Sequence, residues 1–147
     1  MQILEAFQLA ANLHAGQFDK SGRPYIEHLV RVYLRATAAG ADLIQQIAAL
    51  LHDSIEDGKA TKQELLDYGV PPESVYLVVV LSKPEGVTYM EYVAGVKKVP
   101  KAIRVKYADL DDNSDPARLA VLPPEVAERL SKKYARAKAF MLEEDSA

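Results

Sequence analysis

Four side chains within six residues could do chemistry together: His52, Asp53, Glu56 and Asp57. An imidazole and three carboxylates can hold a cation or carry protons, and at about 100° per residue a helix would set them on one broad arc. They follow Ala48-Ala49-Leu50-Leu51, an apolar run with no polar face. Such a run reads as a buried helix, and charges at its end are costly unless something binds them. A divalent metal ion meets that need. His52-Asp53 are therefore a candidate half-site for a metal, with Glu56-Asp57 facing the same cleft.

The elements that must position this group are all helical by pattern. Apolar residues at helical spacing predict a first helix from Gln2 to about His14, closed by Gly16, and a second from Tyr25 to Ala39. Gln17 to Pro24, between them, has turn chemistry. Asp42 can cap the third helix, Leu43 to about Ile55, which carries the opening group. Thr61-Lys62-Gln63-Glu64 has capping-box spacing and predicts a short helix to Gly69. Val75 to Leu81 is rich in β-branched residues, yet a lone strand in a helical chain would have no partner for its backbone, so it reads as helix. Thr88 caps a further helix, and Ala102 to about Asn113 continues as another. Asp115-Pro116 opens a turn or a new helix, and a last long helix follows Pro123-Pro124. The basic face of that helix (Arg129, Lys132, Lys133, Arg136, Lys138) reads as solvated, and the tail after it as fraying. The fold class is all-α, one compact domain over residues 1–147.

Composition narrows the function. The 147 residues are 49% hydrophobic and 27% charged, ordinary for a globular protein. The lack of cysteine excludes disulfides, thiolate metal sites and cysteine nucleophiles, and fits a cytoplasmic protein. No stretch reaches the roughly 20 apolar residues of a membrane span, and the N-terminus lacks the pattern of a secretory signal. A net charge of −3 argues against nucleic acid as the main partner, while a local basic pocket or a metal could still attract a small anion.

Two further groups lie where a metal site could be completed. His28 sits one turn into the second helix, and Asp109 near the end of another apolar helix. His28 alone would more often be a hydrogen-bonded structural histidine. Together with His52 and Asp53, two imidazoles and two carboxylates would fill four positions of a six-coordinate ion. Such a set suits manganese, iron, zinc or a related divalent ion. A metal held this way lowers the pKa of its water, and Glu56 or Asp57 could orient that water or move its proton. On a helix, Lys106, Asp109 and Asn113 would stand in a row.

His28, His52-Asp53 and a distant Asp109 in a helical chain resemble the HD-domain metal-dependent phosphohydrolases. The match is nearest to the hydrolase domain of RelA/SpoT-type enzymes and the small alarmone hydrolases. It is carried by Ala11 to Gln17, Lys20 to His28, Ala48 to Asp53 with Glu56-Asp57, and Lys106 to Asp109 with Asn113. The resemblance implies one ion, usually manganese, held by His28, His52, Asp53 and Asp109. It also implies an acidic pair, Glu56-Asp57, that activates water to remove a 3′-pyrophosphate from guanosine tetra- or pentaphosphate. Lys20 and Ser21 match loop residues beside the nucleotide, Asn113 a residue lining the same pocket, and His14 a histidine that is not a ligand. Lys83 and Arg104 are further phosphate-binding candidates. One position departs: where the family usually carries an arginine that packs on the guanine base, this chain has Asp19, which repels phosphate and cannot stack in that way. The expected activity is hydrolysis of a small phosphorylated, nucleotide-like substrate. The alternatives are an HD phosphohydrolase of another metabolite and a non-catalytic nucleotide sensor, which would need no general base at Glu56.

Overall fold

A computed structural model describes residues 1–143, and the expected fraying tail lies mostly outside the described residues. The helices are α1 (Ile3–Leu13), α2 (Tyr25–Ala38), α3 (Leu43–Leu51), α4 (Lys62–Asp67), α5 (Pro72–Val80), α6 (Tyr89–Lys97), α7 (Pro100–Asn113), α8 (Pro116–Leu119) and α9 (Pro124–Leu142). Among the described residues there is no strand; a single antiparallel bridge pairs Phe18 with Pro24 and closes the loop between α1 and α2. Among the described residues no helix is long and apolar enough to cross a membrane.

Local chemistry starts these helices where the sequence says it should. Asp42, Thr61 and Thr88 each accept a hydrogen bond from the backbone N–H three residues on, and each is answered by a Gln or Glu side chain at that position. The β-branched run is helix α5, with Val75, Leu77 and Val78 in the core. The Asp115-Pro116 step opens the short α8, capped by Asp115.

α3 is the central rod. Ile47 to Leu51 are fully buried, and the helix packs against α1, α2, α5 and α7. At about 25 cal/mol per Å² of apolar surface removed from water, each such leucine or isoleucine contributes about 1.5–3 kcal/mol. The helix ends at Leu51, four residues earlier than its pattern predicts. Its last carbonyls are taken by other groups: His52 Nδ1 donates to Ala49 O at 2.7 Å, and Ser54 donates to Leu51 O from both its amide (3.0 Å) and its hydroxyl (2.7 Å). Side chains that bond backbone carbonyls in this way compete with continued helix. Residues 53–58 therefore run as successive tight turns, closed by Gly58 at φ 69°.

Candidate metal centre and active site

Three helices and one turn bring the ligand-type groups together. His28 comes from the first turns of α2, His52 from the end of α3, Asp53 from the turn after it, and Asp109 from the last turns of α7. Both histidines and Asp109 are buried. Each imidazole spends its Nδ1 on a fixed acceptor: His28 on Asp112 at 2.7 Å and His52 on Ala49 O at 2.7 Å. Both Nε2 atoms are thereby left to face the carboxylates. His28 Nε2 lies 3.1 Å from Asp109 Oδ1 and 3.7 Å from Asp53 Oδ2, and His52 Nε2 lies 3.3 and 3.1 Å from the same atoms.

These residues fit a divalent cation. Atoms bound about 2.1 Å from one ion are roughly 3 Å apart when they are neighbours around it, close to the separations seen here. Fixing Nδ1 by a carboxylate or carbonyl is also how proteins aim a ligating imidazole. The electrostatics agree. Burial pushes the His52 pKa down, but Asp53 and Asp109 outweigh it and hold it well above the usual histidine value. His28 is raised in the same way, by Asp109 and Asp112 against burial. Burial also pushes the Asp109 carboxyl up, yet Lys106 and His52 hold it well below the ordinary carboxylate range. The buried Asp109 and part-buried Asp53 carboxylates thus draw positive charge to their centre, and a divalent ion supplies it in the most concentrated form.

A cavity of about 320 Å³ opens beside this cluster. Its metal-side wall includes Tyr25, Asp53, Glu56, Lys106 and Asn113. The Tyr25 hydroxyl donates to Asp53 Oδ2, and Lys106 Nζ donates to Asp109 Oδ2 at 2.9 Å. Lys106, Asp109 and Asn113 do form the expected row, with Asn113 Nδ2 donating to Asp109 Oδ1 at 3.1 Å. Glu56 accepts from the Lys83 backbone N–H at 2.6 Å, and its carboxyl is raised, first by burial and then by Asp53, against that hydrogen bond.

Several expectations change. Asp57 does not line the cavity; it is exposed and accepts from Gln17 Nε2 at 2.9 Å, because the turns after Leu51 separate it from Glu56. Gln17 in turn accepts from buried His14 Nδ1 at 2.7 Å, so His14 serves the loop, as expected. Lys20 and Ser21 both line the cavity, but the Ser21 hydroxyl is spent on Asp19 at 2.7 Å. Arg104 is not at this site. It donates to Gly40 O at 3.1 Å and lines a different depression with Lys101 and Tyr107. Lys83 contributes its backbone amide, with its ammonium exposed beside Pro84 O. The α9 basic face is exposed at Arg129, Lys132, Lys133 and Arg136, as expected, with Lys133 at the cavity edge, while Lys138 is half-buried against Asp111 at 2.6 Å.

Two groups carry the site without having been singled out as site residues. Asp112 is fully buried; beside His28 it accepts from Arg31 Nε at 2.7 Å and Arg118 Nη1 at 2.8 Å. Arg118, from α8, also donates to Asn113 Oδ1 at 3.1 Å and to Asp19 Oδ2 at 3.2 Å. Asp19 is therefore a structural anchor. Its Oδ1 accepts from Ser21 and Arg23 backbone amides while Oδ2 ties the loop to α8. A third acid in the α7 repeat Asp109-Asp111-Asp112, on a helix with an apolar face, was a usable signal for Asp112. Arg118 had none, because its partners converge only in the folded chain.

Comparison with known proteins agrees with this geometry. Residues 6–115 match the HD domain family. The chain is 34% identical over 140 residues to a probable GTP pyrophosphokinase of Mycobacterium leprae, covering 88% of this chain and 17% of that protein. It is 32% identical over 127 residues to a guanosine-3′,5′-bis(diphosphate) 3′-pyrophosphohydrolase of Aquifex aeolicus, covering 76% of this chain and 17% of that one. The chain thus spans about a sixth of the length of these curated relatives. Among solved structures, one described as a metazoan ortholog of SpoT that hydrolyzes ppGpp superposes with a TM-score of 0.79, at 24% identity, over 99% of this chain and 87% of that one; that likeness shows the fold. The ligand-type cluster between α2, α3 and α7 therefore sits in the fold of a group built around a divalent metal: the chain belongs to the HD domain family.

Proposed function

We propose that this chain is a manganese-dependent pyrophosphohydrolase that removes the 3′-pyrophosphate of guanosine tetra- or pentaphosphate or a closely similar nucleotide. The observation that carries this reading is the placement of four metal-type groups at one end of a cavity that also presents Glu56 and several cations. The activity for which the Aquifex relative is named supports the substrate class.

In this reading His28, His52, Asp53 and Asp109 hold the ion, which when bound offsets charge on the phosphate and lowers the pKa of water beside it. The protein's own groups do the rest. Lys106, held at the metal end by Asp109, contacts a non-bridging oxygen of the phosphate that is cleaved. Tyr25 fixes Asp53, and Asp112 fixes His28. Glu56 takes a proton from the attacking water, whose oxygen forms the new bond to phosphorus while the bond from phosphorus to the 3′ oxygen breaks. The proton held by Glu56 is then available to the leaving oxygen. Asp57 acts on the loop through Gln17. On this reading the protein works in the cytoplasm, where such a nucleotide pool lies.

The test is pyrophosphate release from guanosine 3′,5′-bis(diphosphate) by protein loaded with manganese, alongside zinc and iron. Glu56→Gln should retain the metal and lose about 10²–10⁴-fold in turnover, the range for a positioned proton acceptor. Failure of the loaded wild-type protein to cleave the nucleotide would refute the reading; full turnover in Glu56→Gln would remove the role given to that residue.

A further inference from the structure

The wall of the cavity away from the metal ligands carries positive charge that the reaction just described does not use. Lys133 reaches in from α9, with its Nζ 4.1 Å from the centre of the Tyr89 ring. Lys106 Nζ lies 6.0 Å from the same centre, which bounds the separation of the two ammoniums at about 10 Å, near the screening length at physiological salt. Lys20 lines the same space from the loop between α1 and α2.

Neither Lys20 nor Lys133 has a carboxylate partner among the described residues. The acids that line the cavity are committed elsewhere: Asp19 to Arg118, Glu56 to the Lys83 amide, and Asp53 and Asp109 to the imidazoles. The Lys133 pKa is lowered, by burial and then by Lys20, Lys106, Arg129 and Lys83, so these cations feel one another. A lysine on an outward helix face normally keeps its head in water, clear of its neighbours. Here the ammonium rests on an aromatic face and meets like charge, an arrangement that an anion between the lysines would stabilise. Lys106 does not fill this role, because its ammonium is bonded to Asp109 at the metal end.

We propose that Lys133 and Lys20 form a second anion subsite, which holds a phosphate or diphosphate on the part of the substrate that is not cleaved. The inference rests on the phosphohydrolase reading and deepens it: the substrate carries two anionic groups joined by a spacer of sugar size, one at the metal end and one under α9.

The test compares two substrates, a guanosine 3′-diphosphate with and without a 5′-diphosphate, in wild-type protein and in Lys133→Gln, with kcat and KM measured separately. The wild type should prefer the doubly substituted nucleotide by about tenfold or more in kcat/KM, through KM, as one charge-assisted hydrogen bond allows. Lys133→Gln should bring that ratio close to one, and Lys20→Gln should lower it. A ratio unchanged in Lys133→Gln would overturn the subsite. A second measurement needs no turnover: calorimetric binding of inorganic pyrophosphate to the metal-free protein should weaken about tenfold in Lys133→Gln, and equal binding would also overturn the subsite. If the wild type cleaves neither nucleotide while pyrophosphate binding still depends on Lys133, the subsite stands and the proposed reaction is what fails.

Discussion

Asp112→Asn tests the reasoning about the metal centre most directly, because the change keeps the shape and removes one charge. The native carboxylate is fully buried and accepts from His28 Nδ1 (2.7 Å) and Arg118 Nη1 (2.8 Å) on one oxygen, and from Arg31 Nε (2.7 Å) on the other. An amide has one acceptor. If its NH₂ replaced the oxygen shared by His28 and Arg118, it would confront two donors and force the wrong tautomer on His28. The cheaper arrangement turns NH₂ toward Arg31, whose side chain is 36% exposed and can swing into water. The cost is then one hydrogen bond to a charged group, about 1.5–3 kcal/mol. For a chain of this size each kcal/mol moves Tm by about 2–4 °C, so the melting temperature should fall by about 3–12 °C. Losing the carboxylate behind a metal-ligating histidine typically costs about 10–100-fold in metal affinity. Thermal melts and a chelator-competition titration with manganese measure the two effects. Arg31→Met is the control: it removes the same arginine contact without touching His28, so it should lower Tm and spare metal affinity. A variant Asp112→Asn that melts within about 1 °C of wild type and binds manganese equally well would show that Asp112 neither braces the fold nor aims His28.

Glu56 accepts a proton only when ionised, so kcat/KM of the manganese-loaded protein should fall toward acid pH as that carboxyl protonates. An acid limb unchanged in the residual activity of Glu56→Gln would contradict the assignment. Because a raised carboxyl favours the protonated fold, its contribution to stability is present below the unfolded pKa and lost as pH rises through the folded one; Glu56→Gln should therefore melt no lower than wild type at neutral pH. Tyr25→Phe removes the hydrogen bond to Asp53 Oδ2 and should weaken manganese binding several-fold, as read by the same chelator titration; unchanged affinity would mean that Asp53 needs no such brace. Asp19→Ala deletes the acceptor of two loop amides and the partner of Arg118, and should raise hydrogen exchange across residues 19–23 together with KM, while leaving the core transition within about 1 kcal/mol. Protection at wild-type levels would show that the loop is held by other contacts.

The sequence alone determined the helices and the candidate metal cluster, largely for local reasons. Capping at Asp42, Thr61 and Thr88 and the 3.6-residue apolar spacing act within a few residues of chain, so helix positions are legible wherever those signals are strong. His52, Asp53 and Asp109 were legible as candidates because charged groups at the ends of apolar helices need a partner, and His28, alone a structural histidine, joined them through the family resemblance. Glu56 followed from its neighbourhood. Asp57 did not: extending the third helix to Ile55 kept the two acids on one arc, whereas side-chain hydrogen bonds to Ala49 and Leu51 stop it at Leu51.

What only the tertiary structure decided was how charge is shared between elements distant in sequence. Asp19 read as a residue that repels substrate, and the fold makes it the anchor of a loop through an arginine 99 residues away. An arginine placed there would meet Arg118 instead of an open cavity edge. Lys133 read as one cation on a wet helix face until the packing of α9 against α6 and α7 turned it toward the cavity. Spacing along one helix fixes which residues share a face, but what that face meets depends on which elements pack against it.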